Sequence, residues 1–379
     1  MNKRNRKVAL LACFIAAIVP NLLALPIIDA NTPRLPAVFV PHQLISQLTG
    51  REALNDSSVV DVMGCDLGIV VKYQGFYHFI FGDTFGGDYI PHQATADAHW
   101  RSNVMAYSND TTPGDGIVLN GWIVNEMTGF ARELFAPKQK IDQVELTTIP
   151  TGAITDGNKF YIYYMDINHW GEAGEYFCNN GSIAASTDGV HFTRIANVSW
   201  PGDSNFVMFG HVQDFRPASI AEGMHYLLAT PAGRYGSAYL LRVPQGQVLN
   251  MSAYEYFTGT DTSGDPSWSP DMWLATPVIN RPVGEISVMW DEYLQRFITM
   301  YIEHYTATII LRTAEHPWGP WSAPVGVAPF SEYWGLYGSF MHPDLVEDGG
   351  RIVYFIMSIW GPYNTFVMKA DLTSLLGKT

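Results

Sequence analysis

The chain has 379 residues, of which 22 are basic and 36 acidic, so its net charge at pH 7 is −14. This acidic balance argues against nucleic acid and anionic membrane surfaces as partners, but it does not exclude a neutral glycan. Aromatic residues make up 13% and charged residues only 15%, which suits a large β-structure with much buried surface and an aromatic-rich groove.

The N-terminus has the pattern of a secretory signal peptide. A basic stretch, MNKRNRK, is followed by the apolar run VALLACFIAAIVPNLLAL. We therefore expect residues 1–24 to be a signal peptide, with cleavage between Ala24 and Ala30. The alternative is a membrane anchor, because the apolar run comes close to spanning length. After cleavage we expect no stable membrane insertion.

Glycosylation motifs agree with secretion. An extracellular glycoprotein would carry glycans at the five Asn-x-Ser/Thr sites Asn55, Asn109, Asn180, Asn197 and Asn250. Cys13 lies within the signal region, which leaves Cys65 and Cys178 as one candidate disulfide in an oxidising compartment.

The remaining chain is predicted to be all-β. Residues 25–60 form a proline-rich lead-in segment that packs outside or supplies a closing strand, and residues 61–379 form one domain. Five hairpins of an apolar strand, a turn and an aromatic-rich strand recur, with turns near Gln74, Asn158, Gly223, Leu294 and Gly349. Third strands such as SNVMAYS and TIILRTA follow them. We predict a five-bladed β-propeller; a β-sandwich or two β-domains are the alternatives.

The first hairpin, GCDLGIVVKYQGFYHFIFGDT, carries an aspartate near each outer end. A two-residue turn at Gln74-Gly75 would place Asp66 directly opposite Asp83, with Cβ atoms about 4.5–5.5 Å apart. Like charges in that position repel, so stability does not explain them, and a raised pKa in one carboxyl would suit acid/base catalysis. The alternative is that both aspartates cap strand ends and bond backbone amides.

Other candidates recur near the ends of the predicted units. Glu285, His342 and Asp344 are candidate substrate-binding residues, and Trp100, Tyr337 and Tyr363 are aromatic residues that could offer flat faces to sugar rings. Each acid could instead cap a turn, and the aromatics could wedge between blades. We find no metal-ligand spacing, calcium loop, G-x-S-x-G elbow or phosphate loop, so no cofactor or metal is predicted.

The motifs GCDLG, FGDTFGG, WRSNVMAYS, GEISVMW and YGSFMHP together resemble the domain of unknown function 4185 family over about residues 60–372. That resemblance implies a five-bladed propeller and carboxylate chemistry on furanosides, since some members are secreted endo-D-arabinanases. It implies Asp66 and Asp83 as the catalytic pair. Arg101 and Asn103 in the WRSN stretch are further candidate substrate contacts that the resemblance does not assign.

We therefore expect a secreted glycoside hydrolase that cleaves arabinofuranosyl linkages in a polysaccharide or oligosaccharide by a two-carboxylate mechanism. The alternatives are a non-catalytic, lectin-like glycan-binding propeller, a sialidase, which the absence of a clear arginine triad disfavours, and a structural or adhesive protein. The sequence leaves the oligomeric state open.

Overall fold

The structure, a computed structural model, describes residues 35–90, 98–216 and 223–377, and the predicted signal peptide lies outside them. The described chain is all-β and has no α-helix. Its helical segments are short 3-10 turns, at Ser57–Val60, Met251–Ala253, Met272–Leu274, Asp348–Gly350 and Leu372–Leu375. No helix in these ranges is long and apolar enough to cross a bilayer.

The first strand of the described chain is β1 (His42–Gln47), and antiparallel meanders that we call units 1 to 5 follow it. The strands of unit 1 are β2 (Gly64–Tyr73), β3 (Phe76–Phe85), β4 (Val104–Ser108) and β5 (Gly121–Trp122). The strands of unit 2 are β6 (Thr147–Asp156), β7 (Lys159–Trp170), β8 (Tyr176–Ser186) and β9 (Thr193–Pro201).

The later units follow the same order. Unit 3 contains β10 (Met208–Gln213), β11 (Met224–Thr230), β12 (Ala238–Pro244), β13 (Glu255–Thr260), β14 (Pro266–Ser269) and β15 (Pro277–Ile279). Unit 4 contains β16 (Ile286–Asp291), β17 (Arg296–Glu303), β18 (Thr308–Ala314) and β19 (Val325–Ala328). Unit 5 contains β20 (Leu336–Glu347), β21 (Ile352–Ile359) and β22 (Asn364–Asp371), and β1 pairs with β22 as its outer strand.

The first strands of the units form a closed cycle of contacts. β2 contacts β6, β6 contacts β10, β10 contacts β16, β16 contacts β20, and β20 contacts β2 again. β10 and β16 also form a short parallel pair, in which Val212 lies opposite Val288 and Gln213 lies opposite Met289. The arrangement is propeller-like, with the first strand of each unit innermost.

The five predicted hairpins are confirmed as antiparallel pairs: β2–β3, β6–β7, β10–β11, β16–β17 and β20–β21. The predicted two-residue turn is also present, because Tyr73 pairs with Phe76. Gln74 and Gly75 both have positive φ, 48° and 86°. Such primed turns match the twist of the flanking strands.

Packed aromatic rings fill the space between neighbouring units. Trp200 in β9 is fully buried, with its ring centre 4.8 Å from that of Phe209 and 5.0 Å from that of Tyr254. The indole Nε1 donates to the Tyr256 hydroxyl at 2.8 Å. Burial of these large rings joins unit 2 to unit 3.

Candidate active site

The β2–β3 hairpin is irregular at Asp66. Cys65 pairs with Thr84 and Leu67 pairs with Phe81, so Asp66 alone lies opposite two residues, Gly82 and Asp83. This is a β-bulge, with one extra residue on β3. The predicted direct pairing of Asp66 with Asp83 is therefore wrong.

A second bulge restores the register. Ile69 pairs with Ile80, which leaves Gly68 as an extra residue on β2. Leu67 and Gly68 adopt left-handed conformations, with φ of 69° and 91°. Such a conformation costs energy for leucine, and strain of this kind concentrates at functional sites. The two bulges together turn the backbone that carries Asp66.

Gly82 gives the Asp66 side chain its place. A Cβ at position 82 would lie 2.5 Å from Asp66 Oδ1 and 3.0 Å from Leu67 Cδ1. Any larger residue would therefore displace the carboxyl. The bulge interrupts the regular alternation of side chains on β3, and Asp83 stays close enough for its charge to act on Asp66.

The surroundings of Asp66 favour its protonated form. Tyr337, from the start of β20, donates its hydroxyl proton to Asp66 Oδ2 at 2.9 Å. Asp66 Oδ1 is buried and has no hydrogen-bond partner among the described residues. Burial, and then the charge of Asp83, raise the pKa of Asp66 to about 7, against hydrogen bonds from Tyr337 and Tyr363.

Asp83 has a different set of partners. Its Oδ1 accepts from Trp100 Nε1 and from Thr147 Oγ1, both at 2.7 Å. Asp83 is only 9% exposed, and burial raises its pKa to about 6 although both donors lower it. Thr147 begins β6, so Asp83 faces unit 2, whereas Asp66 faces Tyr337 in unit 5. The two carboxyls remain electrostatic neighbours.

A third carboxyl belongs to the same region. Glu285, directly before β16, accepts from Arg234 Nε at 3.0 Å and from Arg234 Nη2 at 2.8 Å, and Tyr176 donates to it at 3.3 Å. The Arg234 guanidinium also lies 4.9 Å from the Tyr337 ring centre. Glu285 is thus linked through Arg234 and Tyr337 to Asp66, whose pKa its charge also raises. We call Asp66, Asp83 and Glu285 the carboxyl cluster.

Two residues predicted as substrate contacts are buried structural residues. Arg101 is 4% exposed and donates to the backbone oxygens of Ala131 and Asp61 at 2.9 Å and 2.5 Å. Asn103 is 0% exposed and bonds the backbone of Phe135 through both ends of its amide. Both side chains hold the chain around residues 131–135 against unit 1, so neither is available to a substrate.

His342 and Asp344 lie at the other end of the ring from Asp66. Asp344 Oδ2 accepts from Lys72 Nζ at 2.6 Å and from the Tyr77 hydroxyl at 3.1 Å. Lys72 is six residues beyond Asp66 on the same strand, which corresponds to about 20 Å. His342 is fully buried, and its Nδ1 accepts from the Asp344 backbone. The structure therefore does not bring these two residues to the carboxyl cluster.

The predicted disulfide is absent. Cys65 and Cys178 are both free thiols, on β2 of unit 1 and β8 of unit 2. Burial raises the pKa of both, to about 12 for Cys178. Thr49 hydrogen-bonds the Cys65 thiol, whereas Cys178 lies near Asp166, so the pairing predicted from number alone is wrong.

The candidate glycosylation sites differ in accessibility. Asn109, Asn197 and Asn250 are exposed, whereas Asn55 and Asn180 are half-buried. Asn55 also donates to Ile117 O at 2.7 Å and accepts from Leu119 N at 2.8 Å. Glycosylation and secretion stay predictions, and Asn55 is the site least suited to carry a glycan after folding.

Within the described ranges, no group of three or more His, Cys, Asp or Glu residues could hold a metal ion.

Comparison with known proteins identifies the family. The family described as "Domain of unknown function (DUF4185)" matches residues 52–369. The chain belongs to this family. It is also 28% identical over 320 residues to the "Notoamide biosynthesis cluster protein J" of Aspergillus sp. (strain MF297-2), covering 79% of this chain and 80% of that protein. Protein J′ of Aspergillus versicolor is 27% identical, with 79% of this chain and 81% of that protein covered.

Solved structures show the same fold class. A family 117 glycoside hydrolase produced by the marine bacterium Zobellia galactanivorans aligns with a TM-score of 0.50 at 12% identity, covering 89% of this chain and 92% of that one. At this identity the likeness shows a shared propeller-like fold.

Several residues of the site were not recognised in the sequence of this family member. Arg234 and Tyr176 lie in PAGRYGS and GEYFCNN, loop-flanking stretches with no distinguishing pattern. Tyr337 and Tyr363 were candidates only as sugar platforms, whereas the structure makes them partners of Asp66. The one available signal was that these residues, like Asp66 and Glu285, fall at the ends of predicted strands.

Proposed function

We propose that this protein is a secreted glycoside hydrolase with a five-bladed propeller fold that cleaves arabinofuranosyl linkages, with Asp66 as the proton-transferring residue. Five antiparallel units in a closed cycle support the blade number. The observation that carries the proposed activity is the state of Asp66: a half-buried carboxyl with one unpaired buried oxygen and a pKa raised to about 7. Such a group can donate a proton near neutral pH.

In the proposed mechanism the carboxyls have different roles. Two hydrogen bonds to Asp83 Oδ1 stabilise its ionised form, whereas Asp66 Oδ1 has no partner among the described residues, so near neutrality the pair holds a protonated Asp66 beside an ionised Asp83. Protonated Asp66 donates to the leaving glycosidic oxygen, and ionised Asp83 activates water. The bulge turns the two side chains toward different units, which favours the wider carboxyl separation of an inverting enzyme, about 6.5–9.5 Å.

The test is a glycan panel. Purified protein is incubated with D-arabinan, L-arabinan and arabinogalactan, and released reducing ends are measured for the wild type, Asp66→Asn and Asp83→Asn. The matched control is Asp344→Asn, an acid at the opposite end of the ring. We expect release by the wild type and the control, and a loss of at least 100-fold in both cluster variants.

Wild-type-like release by Asp66→Asn and Asp83→Asn would overturn the catalytic assignment. Binding to a glycan without release by any form would favour the lectin-like alternative.

A second candidate comes from the relatives named for a notoamide biosynthesis cluster. A role in the biosynthesis of a small natural product would place such a molecule in the same site. Comparing the small molecules of a gene-deletion strain with those of its parent would test this role. A missing or altered compound, together with no release from the glycan panel, would favour it over the glycosidase proposal.

A further inference from the structure

A large open pocket lies beside the carboxyl cluster. Its volume is about 650 Å³, within the range of about 300–1,000 Å³ that is usual for ligand sites. Its walls come from the end of β7, the start of β8, and the chain segments that lead into β10 and follow β11. We call it the β7–β8 pocket.

The β7–β8 pocket shares a wall with the cluster. Tyr176 lines the pocket, and its hydroxyl donates to Glu285 at 3.3 Å. Pro231 and Ala232 line the pocket just before Arg234, which binds Glu285 and whose backbone N–H donates to Gly174 O at 2.8 Å. A ligand in the pocket would therefore lie next to the site at which the proposed reaction occurs.

The lining combines a flat apolar ring with polar groups. Phe177 is 46% exposed, and its ring centre lies 5.8 Å from that of His169. His169 pairs through Nδ1 with Asp142 at 2.7 Å and keeps 37% of its side chain exposed. Asp203 is also exposed on the wall. An exposed ring beside hydrogen-bonding groups suits a sugar ring, which has apolar faces and hydroxyl edges.

The backbone holds this pocket in place. Gln143 adopts a left-handed conformation, with φ of 66°, and its N–H donates to Asn168 O at 2.8 Å. At Gly202 a Cβ would lie only 1.8 Å from Cys178 O, so no larger residue fits. The pocket is thus preformed, which lowers the entropy lost on binding.

The charge of the lining selects a neutral ligand. None of the residues that line the pocket, all of them within the described chain, is Lys or Arg, whereas Asp203 lines it and Asp142 lies behind His169. An acidic sugar, a phosphate or a sulfate would meet negative charge without a compensating cation.

We propose that the β7–β8 pocket is a distal subsite that binds uncharged glycosyl residues of the substrate chain, away from the bond that is cleaved. This inference rests on the proposed glycosidase function. Phe177 stacks on a sugar ring, while His169 and Asp203 bond its hydroxyls.

The test measures binding as a function of chain length. The Asp66→Asn full-length protein is titrated by calorimetry with D- and L-arabino-oligosaccharides of two and of five residues, with and without Phe177→Ala. The control is Phe76→Ala, an exposed phenylalanine at the β2–β3 turn on the opposite end. Asp203→Asn is a second pocket variant that keeps the side-chain size.

We expect Phe177→Ala to weaken binding of the five-residue ligand about tenfold more than that of the two-residue ligand, and Asp203→Asn to act in the same direction. Phe76→Ala should change neither, and oligogalacturonates of equal length should bind at least tenfold more weakly. Equal effects on both lengths, no effect of either pocket variant, or equal binding of acidic oligosaccharides would overturn the proposal.

Failure of the proposed glycosidase function can be distinguished from failure of the proposed subsite. It would show as no release from any glycan by the wild type, whereas failure of the subsite alone would leave release intact and Phe177→Ala without a length effect.

Discussion

Asp66 has two oxygens in different environments, and this difference determines its chemistry. Oδ2 accepts the Tyr337 hydroxyl, while Oδ1 is buried without a partner among the described residues. An unpaired buried acceptor favours protonation, whereas a hydrogen bond to the charged form opposes it. The balance leaves the pKa of Asp66 at about 7.

Removing the Tyr337 hydroxyl should raise the pKa of Asp66 further. In Tyr337→Phe the ionised form loses a hydrogen bond worth about 1–2 kcal/mol, which corresponds to about one pKa unit. A ¹³C NMR titration of the aspartate carboxyls, assigned with Asp66→Asn, measures the shift. Tyr77→Phe, which loses a bond to Asp344 instead, is the control and should leave Asp66 unchanged. An unchanged titration in Tyr337→Phe would show that this contact does not tune Asp66.

The raised pKa also makes a prediction about stability. Because the folded-state pKa of Asp66, about 7, exceeds the ordinary value of 3.8, folding favours the protonated form, and stability is lost as the pH rises through about 7. The shift of about three pKa units means that Asp66→Asn should stabilise the protein by about 4 kcal/mol at pH 8, relative to any change at pH 4.

Asp344 provides a control of opposite sign. Although burial raises its pKa, the hydrogen bond from Lys72 and further opposite charge outweigh that effect and lower it overall, so its contribution to stability is present at neutral pH and lost in acid. Asp344→Asn should cost stability at pH 7 and little at pH 3. Urea denaturation at each pH measures both variants, and a pH-independent effect of Asp66→Asn would contradict the account.

At the scale of the element, the paired bulges in β2–β3 are what orient Asp66. Gly82→Ala should reduce activity at least 100-fold, because the added Cβ would lie 2.5 Å from Asp66 Oδ1. Gly75→Ala is the matched control, since nothing lies within 4 Å of a Cβ there, although its φ of 86° costs about 1 kcal/mol of stability. Equal activity of the two variants would mean that Gly82 does not position the carboxyl.

The hairpins could be predicted from the sequence, but the bulges could not. Alternating apolar residues and the Gln74-Gly75 turn determine the register near the turn, and the structure has that register from Ile69 to Tyr73 and again at Cys65. Two compensating insertions leave this pattern intact on both sides. The bulges are visible only in the positive φ of Leu67 and in the close approach of the Asp66 side chain to Gly82. Residue types alone predict neither feature.

The same limit applies to side chains outside the hairpin. Arg101 and Asn103 lie three positions or fewer from β4, but their partners around residues 131–135 are distant in sequence. Cys65 and Cys178 could have paired by number, but the units that hold them keep them apart. Long-range packing decided each case, and a single sequence does not contain that information.

At the scale of the whole molecule, the ring of units separates two polar regions. Strand starts bring Asp66, Tyr337 and Glu285 together at one end, and the Lys72–Asp344 pair lies at the other. Recurring strand ends in the sequence predicted that acids would gather, yet they did not show which end each acid would reach. Which end of the ring each acid reaches depends on the direction of the strand that carries it.

The most direct measurement of the central claim is the pH dependence of kcat/KM on whichever arabinan the wild type cleaves. The account predicts that activity falls as the pH rises through about 7, where Asp66 loses its proton, and that Asp66→Asn lowers kcat at least 100-fold and removes this limb. An Asp66→Asn variant with wild-type kcat and the same limb near pH 7 would contradict it.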